Sequence, residues 1–289
     1  MVFEDGFILQ IAGFYIQFKS TENLFVDDAH MPFVVHEHLR VADIVVQCHA
    51  HMPPMDFATQ KPSFEAANDD LVFYRIYAEG NQYKIVIFNQ QNNAEIQHVA
   101  FVSGNLKQWD IYTKRNADAT LSPLTYPMGP VLMHYMTHTA EAVMMHAACV
   151  VDGNVGRMFS GFSGAGKSTM SGIWANAGHT IVNDDRIIIR KENDKFFVYN
   201  TPMYYVDIPK RIELQSIYLI YHSPENKIEK LKGAIALSKV MAFSIQNNFD
   251  KQFVAQRLAL FADLCSHVGV YHLGVVPNNA IIDFVRNNE

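Results

Sequence analysis

The chain has 289 residues, of which 49% are hydrophobic and 18% charged, and its formal net charge is −6 at pH 7. This composition is typical of one large or two modest globular domains, and the negative charge gives no field that would attract nucleic acid or an anionic membrane surface. Three widely spaced cysteines argue against a disulfide framework. Because neither a signal-peptide pattern nor a long apolar run occurs, we expect a cytoplasmic protein without a membrane partner.

Strand patterns dominate the first 120 residues, and no segment there has a convincing helical period. The link at residues 78–82 contains a glycine and predicts a hairpin. We therefore expect a small antiparallel sheet or sandwich, which serves either for packing alone or as a surface for an acceptor or a partner. The β-rich runs that carry this prediction are residues 7–18, 41–46, 71–77, 83–88, 96–102 and 109–112.

Two histidine pairs of the form H-x-H lie in this module, His36 with His38 and His49 with His51. On a strand, the members of each pair would share one face, which is a geometry suited to a metal ion. No further ligand at a recognisable spacing completes either set, so ordinary surface histidines are the favoured interpretation. Residues 52–70 are rich in proline, alanine and asparagine and predict a long surface loop.

A linker that contains several prolines separates this module from the rest of the chain. It spans residues 116–130 and precedes residues 131–143, in which apolar side chains recur with a helical period. We therefore expect two domains, a β-rich N-terminal module over residues 1–125 and a second domain over residues 126–289.

The segment Gly161-Phe162-Ser163-Gly164-Ala165-Gly166-Lys167-Ser168 fits the phosphate-loop pattern G-x-x-x-x-G-K-[ST] over its full length. Its glycines allow backbone N–H groups to surround a polyphosphate, and Lys167 supplies a positive charge for the β- and γ-phosphates. The Ser168 hydroxyl can ligate Mg²⁺, and a helix that begins at Lys167 adds the positive end of its dipole. The flanks agree, because residues 155–160 predict a buried strand and residues 168–177 an amphipathic helix.

The residues on both sides of the loop indicate its type. Two apolar runs, residues 146–151 and 155–160, flank Asp152-Gly153-Asn154, so the strand that enters the loop is expected to be antiparallel to its predecessor. After the helix, residues 179–185 predict a strand that ends in two adjacent aspartates. Since successive side chains of a strand point to opposite faces, one carboxylate can face the phosphates and the other a second reactant or the metal.

In their order and spacing, His146, the hairpin, the phosphate loop, the short helix and residues 183–186 resemble the kinase domain of the HPr serine kinase/phosphorylase family. The resemblance covers residues 130–222. That family shares its fold with phosphoenolpyruvate carboxykinase. The resemblance therefore implies an α+β chain whose second domain has a mixed, largely antiparallel sheet around the loop, with Mg-ATP as the phosphoryl donor.

The resemblance also implies roles for individual residues. Ser168 and Asp185 would hold Mg²⁺, and Lys167 would act in catalysis as well as in binding. Asp184 would be the base that takes a proton from an acceptor hydroxyl, and His146 would orient the phosphoryl group or the base. The residues that would bind the nucleotide are Gly161, Ser163, Gly164, Ala165, Gly166, Lys167, Ser168 and Thr169.

The chain departs from the family in two respects. The glycine- and arginine-containing signature after the nucleotide site has only a loose counterpart in Pro209-Lys210-Arg211-Ile212, and the first 120 residues do not resemble the family's N-terminal domain. The acceptor, a protein or a small molecule, and the oligomeric state, a homo-oligomer included, therefore stay open. Beyond the aspartates, the sequence predicts a hairpin of residues 186–190 and 196–199, a core strand over 217–221, helices over 236–246 and 250–267, a strand over 270–275 and a helix from 277.

These features predict an ATP-dependent phosphotransferase, a kinase that acts on a hydroxyl group. Arg186 and Arg211 are further candidates for neutralising the charge of the transferred phosphoryl group. A second interpretation is an accessory module that binds nucleotide without transferring phosphate, although binding alone would need neither the aspartate pair nor His146. A third is a carboxykinase-type reaction on a small carboxylic acid, which would need further cationic residues and metal ligands near the loop.

Overall fold

The computed structural model describes residues 1–36, 40–53, 60–92, 95–245 and 250–289. Contacts within the chain divide these residues into two units. The first consists of Met1–Thr139 with Pro202–Ile208, and the second contains the other described residues from Ala140 onward. The boundary predicted between residues 125 and 126 falls inside the first unit, and as a boundary between independently folding domains it stays a prediction.

Strands make up most of the first unit, as its sequence predicts. Burial alternates along many of them, because successive side chains of a strand point to opposite faces. In chain order the elements are β1 (Val2–Phe3), β2 (Phe7–Ile11), β3 (Phe14–Lys19), β4 (Leu24–Phe25), β5 (Ile44–His49), β6 (Phe64–Ala67), β7 (Val72–Glu79), β8 (Gln82–Phe88), β9 (Ile96–Ser103), β10 (Gln108–Thr113) and α1 (Met128–Met136).

Strand pairing in this unit builds an eight-stranded sheet in the order β2-β3-β5-β10-β9-β8-β7-β6, while β1 and β4 pair with each other. Phe14, Ile16 and Phe18 of β3 point into its core. The predicted hairpin forms between β7 and β8, and Gly80 in its turn has a φ of 60°. Trp109 of β10 is buried, and its indole N–H donates to a backbone carbonyl at 2.8 Å.

The structure corrects several sequence expectations for this unit. Residues 7–18 form two strands, because Ala12 and Gly13 take positive φ and reverse the chain. The sheet is mixed, since β5 pairs in parallel with both β3 and β10, and the chain between β3 and β5 is long enough to cross back over the sheet. Strand β6 lies within the predicted loop of residues 52–70, of which residues 54–59 lie outside the described residues.

The helix predicted over residues 131–143 is also shifted. It begins at Met128 and ends at Met136, and residues from Ala142 onward belong to a strand of the second unit. Their apolar side chains fit a helical period, but they are buried in a sheet whose two faces are covered by helices. Tertiary pairing therefore overrides the local periodicity at this point.

Helices and strands are interleaved in the second unit. Its hairpins and the helix after the phosphate loop form where the sequence predicts them. In chain order the elements are β11 (Ala142–Asp152), β12 (Val155–Ser160), α2 (Lys167–Asn176), β13 (Ile181–Asn183), β14 (Arg186–Glu192), β15 (Lys195–Asn200), β16 (Arg211–His222), β17 (Lys227–Leu231), α3 (Gly233–Ala242), α4 (Lys251–His267), β18 (Gly269–Val275) and α5 (Ala280–Asn287).

The sheet of the second unit is mixed and largely antiparallel. Its strand order is β12-β11-β14-β15-β16-β18-β17, with β13 beside β11. Strand β12, the first in this order, also pairs in parallel with β16. Within the described part of this unit, the only other parallel pair is β16 with β18. Together with helices α1 to α5 of the described residues, the two mixed sheets give an α+β fold.

Two hydrophobic cores cover the two faces of this sheet. One contains Met145, Ile187 and Leu219 and packs against α3 and α4. The other contains Phe159 and Trp174 and packs against α2 and α5. Strands β11, β12 and β16 contribute to both cores, so the end of β12 is fixed from both sides.

Other boundaries in this unit differ from the predictions. Strand β17 is not predicted, α5 begins at Ala280, and α3 ends at Ala242, while residue 246 lies outside the described residues. Across the described parts of the chain, none of the helices combines the length and the apolar character that a membrane crossing needs.

Candidate functional site

The phosphate-loop segment joins the end of β12 to the start of α2. A Cβ on Gly161 would lie 2.9 Å from the carbonyl oxygen of Ile220 and 3.0 Å from the Cβ of Ala165. Gly164 and Gly166 have φ values of 78° and 97°, a region that favours glycine. The loop therefore needs glycine for close packing at its first position and for backbone geometry at the other two.

The residues predicted to hold a nucleotide differ in their accessibility. Ser163, Gly164, Ser168 and Thr169 are exposed, while the other loop residues in this set are half-buried or buried. Helix α2 begins at Lys167, so its free N–H groups and the positive end of its dipole lie at the loop. This arrangement suits a bound anion, because both features favour negative charge.

Lys167 is buried under the loop that precedes it. Its Nζ donates to the carbonyl oxygens of Gly161 at 3.1 Å and Phe162 at 3.2 Å. Burial lowers the pKa of the ammonium group, and the negative charge of Asp185 opposes that shift. The lysine and this aspartate are therefore close enough to interact electrostatically.

The two aspartates lie where the neighbour of β11 changes. On one side, the first half of β11 pairs with β14 and its second half pairs with β13. Asp184 and Asp185 lie in the break between the end of β13 and the start of β14. There the N–H of Ala147 donates to the carbonyl of Asp185 at 2.9 Å. Along the other edge, Ala147 is opposite Ser160, the last residue before the loop. Since neighbouring strands are about 4.8 Å apart, one strand and about 10 Å separate the break from the loop entrance.

Asn183, buried at the end of β13, shapes the turn that carries the aspartates. Its Oδ1 accepts hydrogen bonds from the N–H groups of Asp184 at 2.7 Å and Asp185 at 3.2 Å. Its Nδ2 donates to the carbonyl of Thr201 at 3.3 Å. Both carboxylates therefore stand in an Asx-type turn beyond the strand, and the predicted alternation of strand faces does not orient them.

Asp185 is the partner of His146. The Nε2 atom of His146 lies 2.9 Å from Asp185 Oδ1, and Nη1 of Arg186 lies 3.3 Å from Oδ2. The hydrogen bond from His146 is the largest cause of the lowered pKa of Asp185, and the charges of Arg186 and Lys167 also lower it against the opposing effect of burial. Asp185 is therefore an ionised carboxylate between three basic side chains, and His146, about half exposed, faces solvent beside it.

Arg211, the other arginine considered from the sequence, does not belong to this group. It begins β16, whereas the loop starts beside Leu219 and Ile220 of that strand, about 25 to 30 Å farther along. Its guanidinium group contacts Glu192 at 2.8 Å and lies over the ring of Phe197.

His222 contacts the phosphate loop although no sequence motif contains it. This exposed residue ends β16, the strand parallel to β12, and its Nε2 lies 2.9 Å from the carbonyl oxygen of Gly164. A search for histidines at the end of a strand that neighbours the loop strand could have found it. That search needs the pairing of β12 with β16, which the sequence does not show.

The sequence suggests metal binding at two places, the histidine pairs of the first unit and the phosphate loop with Asp185. Among the described residues, no group of three or more histidine, cysteine or acidic side chains could hold a metal ion. His49 Nε2 lies 2.8 Å from Asp110 Oδ1, and His38 lies outside the described residues. Mg²⁺ is usually held by one or two protein ligands together with substrate phosphates and water. The exposed Ser168 hydroxyl and the ionised Asp185 fit that kind of site.

Comparisons with known proteins show a distant structural similarity. No protein-family model matches the chain, and a search of curated proteins gave no match. Among solved structures, the chain is similar to the HPr(Ser) kinase/phosphatase from Coxiella burnetii, with 14% identity and a TM-score of 0.30. The match covers 50% of this chain and 94% of that protein.

Proposed function

We propose that this chain is an ATP-dependent phosphotransferase that moves the γ-phosphoryl group of Mg-ATP to a hydroxyl acceptor, with an HPr kinase-like second domain of the phosphoenolpyruvate carboxykinase type. The observation that carries the proposal is the joint placement of a complete phosphate-loop motif and an ionised aspartate in contact with a histidine, one on each side of strand β11 in the same sheet. Binding alone explains the first feature, whereas a phosphoryl transfer also uses the second.

In this proposal the loop residues bind the polyphosphate. Backbone N–H groups of the loop and the start of α2 surround it, and Lys167 leaves the carbonyls of Gly161 and Phe162 to contact its terminal oxygens. The lysine exchanges two hydrogen bonds to neutral carbonyls for contacts with negatively charged oxygens, so the exchange favours a dianionic or more highly charged group. Arg186 adds positive charge on the side of the aspartates.

The aspartates have separate roles in the proposal. Asp185, which is ionised and interacts with Lys167, is the carboxylate that would hold Mg²⁺ together with Ser168. When bound there, the ion would offset the negative charge of the phosphates. Asp184, one residue away on the same turn, would accept the proton of the acceptor hydroxyl, and His146 would hold Asp185 in place.

The phosphate loop is tested by thermal unfolding of the wild type and of Lys167→Ala, each with and without millimolar Mg-ATP. A ligand at 100 times its dissociation constant stabilises a protein by about 2.7 kcal/mol, which raises the melting temperature by several degrees. We expect this rise in the wild type and its loss in the variant. Lys230→Ala, on the edge strand β17, is the matched control and should behave as the wild type.

The test separates the proposal from its alternatives. If neither protein responds to Mg-ATP, the proposal fails. If the wild type responds, labelled ATP and a panel of hydroxyl acceptors follow, and binding without any transfer or hydrolysis would favour the accessory module that senses nucleotide.

A further inference from the structure

The loop that would hold the polyphosphate is fastened by side chains from two directions. From inside, Lys167 donates to the carbonyls of Gly161 and Phe162. From the neighbouring strand, His222 donates through Nε2 to the carbonyl of Gly164 at 2.9 Å. A carbonyl oxygen can only accept, so Nε2 carries the hydrogen in this contact.

The position of His222 follows from the sheet. Strands β12 and β16 are parallel, with Ser160 paired to Leu219, so the residues after Leu219 run alongside the start of the loop. Ile220 limits the space at Gly161, and the His222 ring reaches the part of the loop that contains the two positive-φ glycines. A Cβ on Gly166 would lie 3.8 Å from Cε1 of this ring.

The hydrogen bonds from Lys167 and from His222 are expected to behave differently when a polyphosphate binds. In the proposed function, Lys167 leaves the carbonyls of Gly161 and Phe162 to reach the ligand. The first part of the loop then loses its hydrogen bonds to this lysine. The hydrogen bond from His222 goes to the carbonyl of Gly164, which is not one of the two carbonyls that Lys167 contacts, so it can remain. The N–H of the next residue, Ala165, donates within the loop to the carbonyl of Phe162 at 3.1 Å, so the peptide after Gly164 is held at both its oxygen and its nitrogen.

We propose that His222 is a positioning residue of the phosphate loop, which it holds in its binding conformation through the Gly164 carbonyl after Lys167 has turned to the ligand. This inference rests on the proposed function, and it adds to it a residue that acts through the loop backbone. A loop that is already ordered loses less conformational freedom on binding, so the benefit of this hydrogen bond is expected in affinity.

The test measures the binding of inorganic tripolyphosphate with Mg²⁺, and of Mg-ATP, by calorimetry. His222→Phe keeps a flat ring and removes the donor, whereas His222→Gln keeps an N–H donor at similar reach. We expect about two- to tenfold weaker binding in His222→Phe, the range that corresponds to the loss of one neutral hydrogen bond. Binding in His222→Gln should return to the wild-type value.

The matched control is His267→Ala. His267 is also an exposed histidine whose ring nitrogen contacts a backbone carbonyl, that of Asp263 at 3.0 Å, but it lies at the end of α4. We expect unchanged binding in this variant. A merely structural role of His222 would lower the melting temperature of the free protein and leave the dissociation constants unchanged in the folded variants, so both quantities are measured for each protein.

Each outcome decides between the inference and the proposed function. Equal affinities of wild type and His222→Phe overturn the inference alone, as does a failure of His222→Gln to restore binding. Tripolyphosphate binding without ATP binding, together with the expected effects of the His222 variants, supports the inference and rejects ATP as the donor. A wild type that binds neither ligand overturns both.

Discussion

Asp184 and Asp185 are neighbours in the chain but have different surroundings. Asp185 contacts His146 and Arg186 and interacts with the charge of Lys167, and these basic groups lower its pKa. Asp184 follows Asn183 directly, and its N–H donates to the side-chain oxygen of that residue. The two aspartates should therefore respond differently to the same substitution.

We expect Asp184→Asn to lower turnover and to leave Mg-ATP affinity within about twofold, since loss of a general base costs about 10²- to 10⁴-fold in rate. Asp185→Asn should weaken Mg-ATP binding itself, because it removes the carboxylate that is proposed to hold Mg²⁺. The measurements are calorimetric binding and the rate of ATP consumption for both variants.

Comparison of the two variants also tests the assignment of roles. Normal turnover by Asp184→Asn would contradict its role as the base. If Asp185→Asn instead kept its affinity and lost turnover, the histidine-linked carboxylate would be the base.

At the scale of elements, Asp152 links three parts of the second unit. It ends β11, and its carboxylate accepts from Arg157 of β12 at 2.7 Å and from Arg286 of α5 at 2.5 Å. Arg157 is buried and also forms an ion pair with Glu289. The hydrogen bond from Arg286 is the largest cause that lowers the pKa of Asp152 to about 2, and Arg157 adds to it.

We expect this carboxylate to contribute stability in a defined pH range. Its folded-state pKa lies below the unfolded-state value of about 3.9, so the ionised form stabilises the fold above about pH 4, and the contribution is lost as the pH falls towards 2. Asp152→Asn should therefore lower the free energy of unfolding by about 1 to 2 kcal/mol at pH 7.

Urea denaturation of wild type and variant between pH 7 and pH 2 checks this prediction. The difference between them should shrink below about pH 4. Asp69→Asn, at an exposed position of the first unit, is the control and should change little at any pH. A difference for Asp152→Asn that stays constant down to pH 2 would contradict an electrostatic origin.

Elements with a strong local signal could be predicted, and those that depend on distant pairing could not. The hairpin of β11 and β12 has Asp152-Gly153-Asn154 in its turn, and Gly153 indeed takes a positive φ of 61°. Helix α2 begins at Lys167, where the motif predicts it. The break between β13 and β14 depends on the long strand β11 beside it, and the sequence showed only one continuous strand up to Asp185.

The same distinction applies to the site. Lys167, Asp185 and His146 could be named because a sequence motif and a resemblance contain them, and the structure brings them close together. His222 and the role of Asn183 could not, since one needs the parallel pairing of β12 with β16 and the other the exact bend after β13. Arg211 is a candidate from the sequence for neutralising phosphate charge, but it lies at the far end of its strand.

At the scale of the whole molecule, the candidate site lies entirely in the second unit. The loop, both aspartates, His146 and His222 all belong to it. The first unit has its own sheet and its own buried residues, among them Trp109 and Ile111. Its role was left open by the sequence, and the division of the chain suggests a direct way to examine whether nucleotide binding depends on it.

We expect Trp109→Phe to destabilise the protein by about 1 to 3 kcal/mol, through a lost hydrogen bond and a smaller buried side chain. Its affinity for Mg-ATP, measured by calorimetry well below the melting temperature, should equal that of the wild type. The matched change in the second unit is Trp174→Phe in α2, which we expect to affect stability and affinity together, because that helix carries the end of the loop. A large loss of affinity in Trp109→Phe would mean that the first unit supports the site.

The two ways in which glycine is required in the loop have a consequence for sequence drift among descendants of this chain. Gly161 is confined by Ile220 and Ala165, so any side chain there damages folding, and a screen for folded protein would already reject the change. Gly164 has no atom within 4 Å of its missing Cβ, and its φ of 78° can be adopted by asparagine at modest cost. A duplicate of this protein that no longer had to bind a polyphosphate would therefore keep glycine at position 161 and become variable at position 164. Variation at position 164, with glycine retained at position 161, would identify a fold that is maintained without the need to bind phosphate.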